Sequence, residues 1–156
     1  CFRGGKLFLV GFSMGASFAL RIARISGLEK HENGNAPAFD RVFAVNPPLD
    51  PLSATSNIDK HSIIKKYFLK KWKRSLLRKQ SAFPELYDFD RFLKTDNCID
   101  LTRLLIEEYS EYKSMEDYFS RYTLDKKFFA EIETPVTLIT AADDPVIDIS
   151  RFDAVK

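Results

Sequence analysis

The sequence predicts an α/β fold in which a parallel sheet is interrupted by a long helical insertion. Three observations carry this. Short apolar runs at Lys6 to Val10 and Val42 to Val45 have the composition of buried parallel strands. A helical pattern separates them, and the order strand, helix, strand implies a right-handed crossover. A third, β-branched run, Pro135 to Thr140, returns only after roughly eighty residues without a convincing strand.

The elements follow in order. The first run ends at Gly11, and from Ser13 to Ile25 the period becomes helical. Phe18, Ile22 and Ile25 recur at spacings of four and three among the helix formers Ala16, Ala19, Leu20 and Ala23, with Gly27 as the expected stop. Leu28 to Asp40 is polar and holds Asn33-Gly34-Asn35 and Pro37, so it reads as a surface loop. Asn46-Pro47-Pro48 closes the second strand. Helices are expected over Ile58 to Ser81, Glu85 to Lys94, Ile99 to Glu108, Met115 to Tyr122 and Leu124 to Ile132. After the third strand comes Ala141-Ala142-Asp143-Asp144-Pro145, and a helical pattern begins at Asp148. The expected organisation is therefore a core over 1–52 and 134–156, with 53–133 inserted as a cap or lid.

Composition removes several classes. The 156 residues are 45% apolar, with 24 basic and 22 acidic side chains. A chain of this length buries about 70% of its unfolded surface and needs no disulfide staples. Cys1 and Cys98 match no metal or redox spacing, which favours a reducing, cytoplasmic setting. No apolar run has the length of a transmembrane helix, and no signal-peptide pattern opens the chain. The start at Cys1, almost directly into a strand, reads as a piece of something longer.

The chemistry concentrates in Gly11-Phe12-Ser13-Met14-Gly15. A serine hydroxyl is a poor nucleophile, and a sharp strand-to-helix turn is one way to project it above a sheet edge. Such a turn strains the backbone at Ser13, while Gly11 and Gly15 leave room for strand and helix to approach closely. The following helix aims its free N–H groups at the same spot, so the Met14 N–H could meet a developing oxyanion. The plainer alternative is a serine that merely caps the helix.

A serine nucleophile needs a base and an orienting carboxylate. Asp144 is the first choice, at the carboxyl end of a later strand, with Asp143 next and Asp148 third. An Asx-type turn into Pro145 is compatible with that role. His31 and His61, the two histidines, both precede these acids. Each reads as a surface side chain, so the triad histidine is expected beyond Lys156 and the 156 residues alone are expected to be inactive. No metal ligand cluster and no organic cofactor are implied.

These segments resemble the α/β-hydrolases, and within them the YheT-like branch of esterase-like proteins. The resemblance rests on Gly11 to Ala16, Asn46-Pro47-Pro48-Leu49-Asp50, Tyr67 to Lys73, Met115-Glu116-Asp117-Tyr118-Phe119, and Thr134 to Ile139 leading into Ala142-Asp143-Asp144-Pro145. It is weaker around Ile99 to Tyr112, and Asp148 stands near a position often held by proline. The resemblance implies the carboxyl-terminal part of an α/β-hydrolase sheet with a lid, and a serine-dependent carboxylic ester hydrolase. Ser13 would be the nucleophile and Asp144 the triad acid, in the family's chain order of serine, acid, histidine. The alternatives are a noncatalytic member of the same fold that binds a ligand or partner, or a membrane-surface interaction module that uses the basic lid helix.

Charge is segregated along the chain. Residues 60–84 hold nine basic and no acidic side chains, whereas 85–134 hold seven basic and thirteen acidic. Ile64, Phe68, Trp72 and Leu76 form an apolar stripe, with Ile63, Tyr67 and Leu77 beside it and lysines and arginines flanking. The simplest expectation is a lid helix whose cations pair partly with the acidic segment. Peripheral membrane contact through 60–79, suited to a lipid-like ester substrate, is the second, and no nucleic-acid motif accompanies the charge.

Overall fold

The computed structural model describes residues 5–33 and 39–155, leaving aside the side chains of 29–33 and 154. In chain order the elements are β1 (Phe8–Phe12), α1 (Met14–Asn33), β2 (Arg41–Val45), α2 (Pro51–Lys60), α3 (Ser62–Ala82), α4 (Asp90–Leu93), α5 (Cys98–Tyr109), α6 (Met115–Tyr122), α7 (Lys126–Ala130), β3 (Val136–Ile139) and a 3-10 helix over Ile149–Val155. They divide into two compact units, 1–50 with 123–156, and 51–122.

The first unit holds a three-stranded parallel sheet in the order β1-β2-β3. Leu9 is opposite Val42, Gly11 opposite Ala44, Val42 opposite Val136 and Ala44 opposite Leu138. Because side chains alternate along a strand, these residues share one face. Leu9, Val42 and Val136 pack there with Ala19 and Ala23 of α1, joined by Phe39 and Ile132. On the other face Val10 and Phe12 are exposed, at 53% and 68%. β1 is therefore buried on one side only, not on both as its apolar run suggests.

α1 departs from expectation in two ways. Gly27 does not stop it: the helix runs on to Asn33, so the segment read as a loop is helical through that residue, and 34–38 lie outside the described residues. A mid-helix glycine costs only about 1 kcal/mol relative to alanine, which packing can offset. Its packing face is also the small one: Ala16, Ala19, Leu20 and Ala23 are buried, while Phe18, Ile22 and Ile25 are exposed.

The chain leaves the first unit at Asp50 and returns at Thr123, where the Leu124 N–H donates to the Leu49 carbonyl at 2.8 Å. Arg24 of α1 then pairs with Glu131 and lies over the Phe128 ring at 5.4 Å, fastening α7.

The second unit is helical throughout. α2 starts at Pro51, where the missing proline N–H costs nothing, and breaks from α3 at His61, so the helix expected from Ile58 to Ser81 is two helices. α3 ends before Pro84, which disfavours helical backbone at Phe83. The helix expected over Glu85 to Lys94 shrinks to the single turn α4. Phe89, Phe92 and Leu101 are almost fully buried and gather Trp72, Leu76, Tyr87, Leu104 and Leu105. Each large side chain buried this way contributes about 1.5–3 kcal/mol.

Candidate active site

Three parallel strands bring their carboxyl ends to one edge, and a polar residue follows each: Ser13, Asn46 and Thr140. Ser13 follows β1 directly, with φ 50°, and is exposed. A positive φ on a non-glycine residue is uncommon and must be held by its surroundings. Here the Ser13 N–H donates to the Val45 carbonyl of β2 at 2.8 Å, while the Ser13 carbonyl accepts from the N–H groups of Ala16 and Ser17. The hydroxyl thus stands on a turn clamped between a strand and the start of a helix.

The two glycines differ. A Cβ on Gly11 would lie 2.3 Å from the Gly15 carbonyl oxygen and 2.7 Å from the Ala16 Cα, so Gly11 is what admits α1 to the strand. A Cβ on Gly15 would meet nothing within 4 Å, contrary to the expectation that both make room. Met14 is the first residue of α1, where backbone N–H groups lack intrahelical partners. Its N–H makes no hydrogen bond among the described residues.

At the end of β2 stands a residue whose part the sequence reading missed. The sequence reading has Asn46-Pro47-Pro48 closing the second strand and gives Asn46 no part in the site. Asn46 has φ 46°, the second positive value among the described non-glycine residues. Its N–H donates to the Ile139 carbonyl at 2.7 Å, its Oδ1 accepts from the Ala141 N–H at 3.0 Å, and its Nδ2 donates to Asp144 Oδ2 at 2.7 Å. Asparagine tolerates left-handed backbone better than most residues. An asparagine closing a strand ahead of two prolines was the available signal.

Asp144 is half-buried, and its other oxygen, Oδ1, accepts from the N–H groups of Val146 and Ile147 at 2.8 and 2.9 Å. This is the Asx-type turn, made by Asp144 and not Asp143. An ionised carboxylate has about four acceptor sites, so Oδ2, with one donor, can take a second. Asp143 is exposed and has no side-chain partner among the described residues. Asp148 is committed to Ser150 and to Arg151, which also pairs with Asp50 at 3.1 Å.

Ser13 and Asp144 are thus linked through Val45, the last residue of β2, and Asn46, which follows it. Val45 takes the Ser13 N–H, and Asn46 holds the Asp144 carboxylate. Two strand spacings, roughly 10 Å, separate the backbones of β1 and β3. His61 is the N-cap of α3 in the other unit, and His31 lies on α1 with its side chain outside the described residues. Thr140, just after β3, keeps Oγ1 buried with no partner among the described residues. Among the described residues no group of three or more His, Cys, Asp or Glu side chains could hold a metal ion.

Comparison with known proteins gives one distant relative. Protein abhd-3.2 of Caenorhabditis elegans is 26% identical over 156 residues, an alignment covering 93% of this chain and 40% of that protein. The chain therefore spans well under half the length of the curated relative it matches. No family model matches, and no solved structure matches significantly. The three-stranded parallel sheet with its helices is compatible with part of an α/β-hydrolase, and the distant likeness to abhd-3.2 hints at that family and at nothing finer.

Proposed function

We propose that this chain is the nucleophile-and-acid half of a serine-dependent carboxylic ester hydrolase, of the YheT-like branch of the α/β-hydrolases. The observation that carries the reading is the left-handed turn at Ser13, exposed at the carboxyl edge of the sheet and tied through Val45 and Asn46 to the Asp144 carboxylate. A left-handed serine costs free energy, and a fold keeps such strain most readily where the side chain has work to do.

In this reading Ser13 Oγ attacks the ester carbonyl carbon and its proton passes to an imidazole. The oxyanion is met by the Met14 N–H. The bond to the leaving alkoxide then breaks, and the imidazolium returns the proton to it; water releases the acyl group by the same steps in reverse order. Asp144 Oδ2 accepts from the imidazole and holds its tautomer. The imidazole is assigned to the full-length protein outside these 156 residues, since His31 and His61 both precede Asp144 in the chain, against the order serine, acid, histidine that the resemblance implies. No metal or organic cofactor takes part in these steps.

The test is a fluorophosphonate probe on the full-length protein. Wild type should label covalently, and Ser13→Ala should lose labelling, as turnover falls roughly a million-fold when a serine nucleophile is removed. Ser17→Ala, whose hydroxyl is directed at the Pro48 carbonyl, should label like wild type. Labelling that persists in Ser13→Ala overturns the nucleophile. A wild-type protein that never labels favours a noncatalytic, ligand-binding member of the fold.

A further inference from the structure

We propose that the solvent face of α3 docks the protein onto an anionic phospholipid surface. α3 carries eight lysines and arginines and no acidic residue over its 21 positions. Some of these cations have local partners. Lys73 Nζ donates to the carbonyls of Leu93 and Thr95, Lys79 lies 4.0 Å from the Tyr87 ring centroid, and Lys71 lies 5.5 Å from that of Tyr67. Lys66, Lys70, Arg74 and Arg78 are exposed and have no hydrogen bond, ion pair or ring contact among the described residues. The expected pairing with the acidic segment is absent: no α3 cation forms an ion pair among the described residues.

At about 100° per residue, Ile63, Lys66, Tyr67, Lys70, Arg74, Leu77 and Arg78 fall in one sector roughly 120° wide. Three of them are large and apolar or aromatic, yet they face water: Ile63 is 83% exposed, Tyr67 58% and Leu77 46%. The opposite side is already used, since Leu69 is buried and Trp72 and Leu76 pack with Phe89 and Phe92. The outward stripe is therefore not needed to fold the unit.

The mixture selects the partner. A nucleic-acid backbone rewards the cations alone and leaves Ile63 and Leu77 in water. An anionic bilayer rewards both: the cations meet headgroup phosphates with their alkyl stems along the surface, while Ile63, Tyr67 and Leu77 enter the acyl boundary. No described helix is long and apolar enough to cross a membrane, so α3 would lie in the interface plane.

The test is co-sedimentation of the protein with phosphatidylcholine vesicles, alone or with about a third phosphatidylserine. Binding is expected only with phosphatidylserine and should weaken as salt rises. The double variant Lys70→Gln/Arg74→Gln should bind roughly 30-fold more weakly, the loss expected for two interfacial cations. Ile63→Ser/Leu77→Ser should also weaken binding. Lys126→Gln/Lys127→Gln, an equal charge change on α7, should not, and Ser13→Ala should bind like wild type, which separates this result from the hydrolase reading. Matching circular dichroism and thermal midpoints would show the variants folded. Three results overturn the proposal: no binding to phosphatidylserine vesicles at low salt, equal loss in the α7 variant, or tighter binding to a single-stranded oligonucleotide than to the vesicles, lost in the same α3 variant.

Discussion

Gly11 and Gly15 flank the serine symmetrically in sequence and unequally in space. At Gly11 the atoms a methyl group would strike are all backbone, at 2.3, 2.6 and 2.7 Å, and cannot swing aside. Gly11→Ala should therefore cost at least about 3 kcal/mol, at or beyond the usual range for overpacking. Gly15→Ala places its methyl in open space within α1 and should be neutral or up to about 1 kcal/mol stabilising. Urea midpoints of the two variants measure this, and equal losses would mean that both glycines admit the helix. Asn46 separates backbone from side chain in a similar way. Asn46→Gly removes the bonds to Asp144 and Ala141 but suits φ 46°, whereas Asn46→Ala loses the same bonds and adds a left-handed alanine, about 1 kcal/mol more. Stability should fall in the order wild type, Gly, Ala. Phosphonate labelling of the full-length protein should slow in both, because Asp144 loses the donor that orients it.

At the scale of elements, the order of strands and most helices was legible because period and composition agree over four or more residues. Met115–Tyr122 shows this, its bounds matching the sequence reading. Facing was harder to read. α1 has two stripes of similar period, and the close approach allowed at Gly11 selects the small one, Ala16, Ala19 and Ala23, for the sheet. Periodicity cannot express that choice, because it depends on a distance set by another element. Asn46 escaped for a related reason: its partners Ala141 and Asp144 lie more than ninety residues away. The break between α2 and α3 likewise belongs to tertiary structure. Asp59, near the end of α2, accepts from the N–H groups of Cys98 and Ile99 at 2.7 and 3.0 Å, and so caps α5 from a neighbouring helix, while Asn97 supplies the local cap through the Asp100 N–H. Asp59→Ala leaves two N–H groups and a helix dipole unanswered. It should cost about 2–3 kcal/mol in thermal or urea unfolding. A loss below about half a kcal/mol would mean that Asn97 caps α5 alone.

For the molecule as a whole, each unit has a core of its own, and stability is sensitive to what each core encloses. The second encloses Cys98, fully buried at the start of α5. Burial, and then the neighbouring Asp59 carboxylate, push its thiol up from 9.0 to about 12. Its folded value thus lies above its unfolded one, so the associated stability is intact below pH 9 and is lost as pH rises toward 12. Across that window the unfolded chain releases the thiol proton and the folded chain keeps it, which draws the equilibrium toward unfolding. Tyrosines and lysines titrate in the same range, so the informative quantity is a difference between proteins. Cys98→Ala should lose less stability than wild type between pH 9 and 11 in urea titrations, even though it starts lower for want of the buried sulfur. In a Cys1→Ser background, Cys98 should resist iodoacetamide at pH 8 until urea opens the helical unit, because a buried neutral thiol is neither accessible nor nucleophilic. Fast alkylation of the folded protein, or parallel alkaline curves for the two proteins, would mean that the thiol ionises in the folded chain as readily as in the unfolded one.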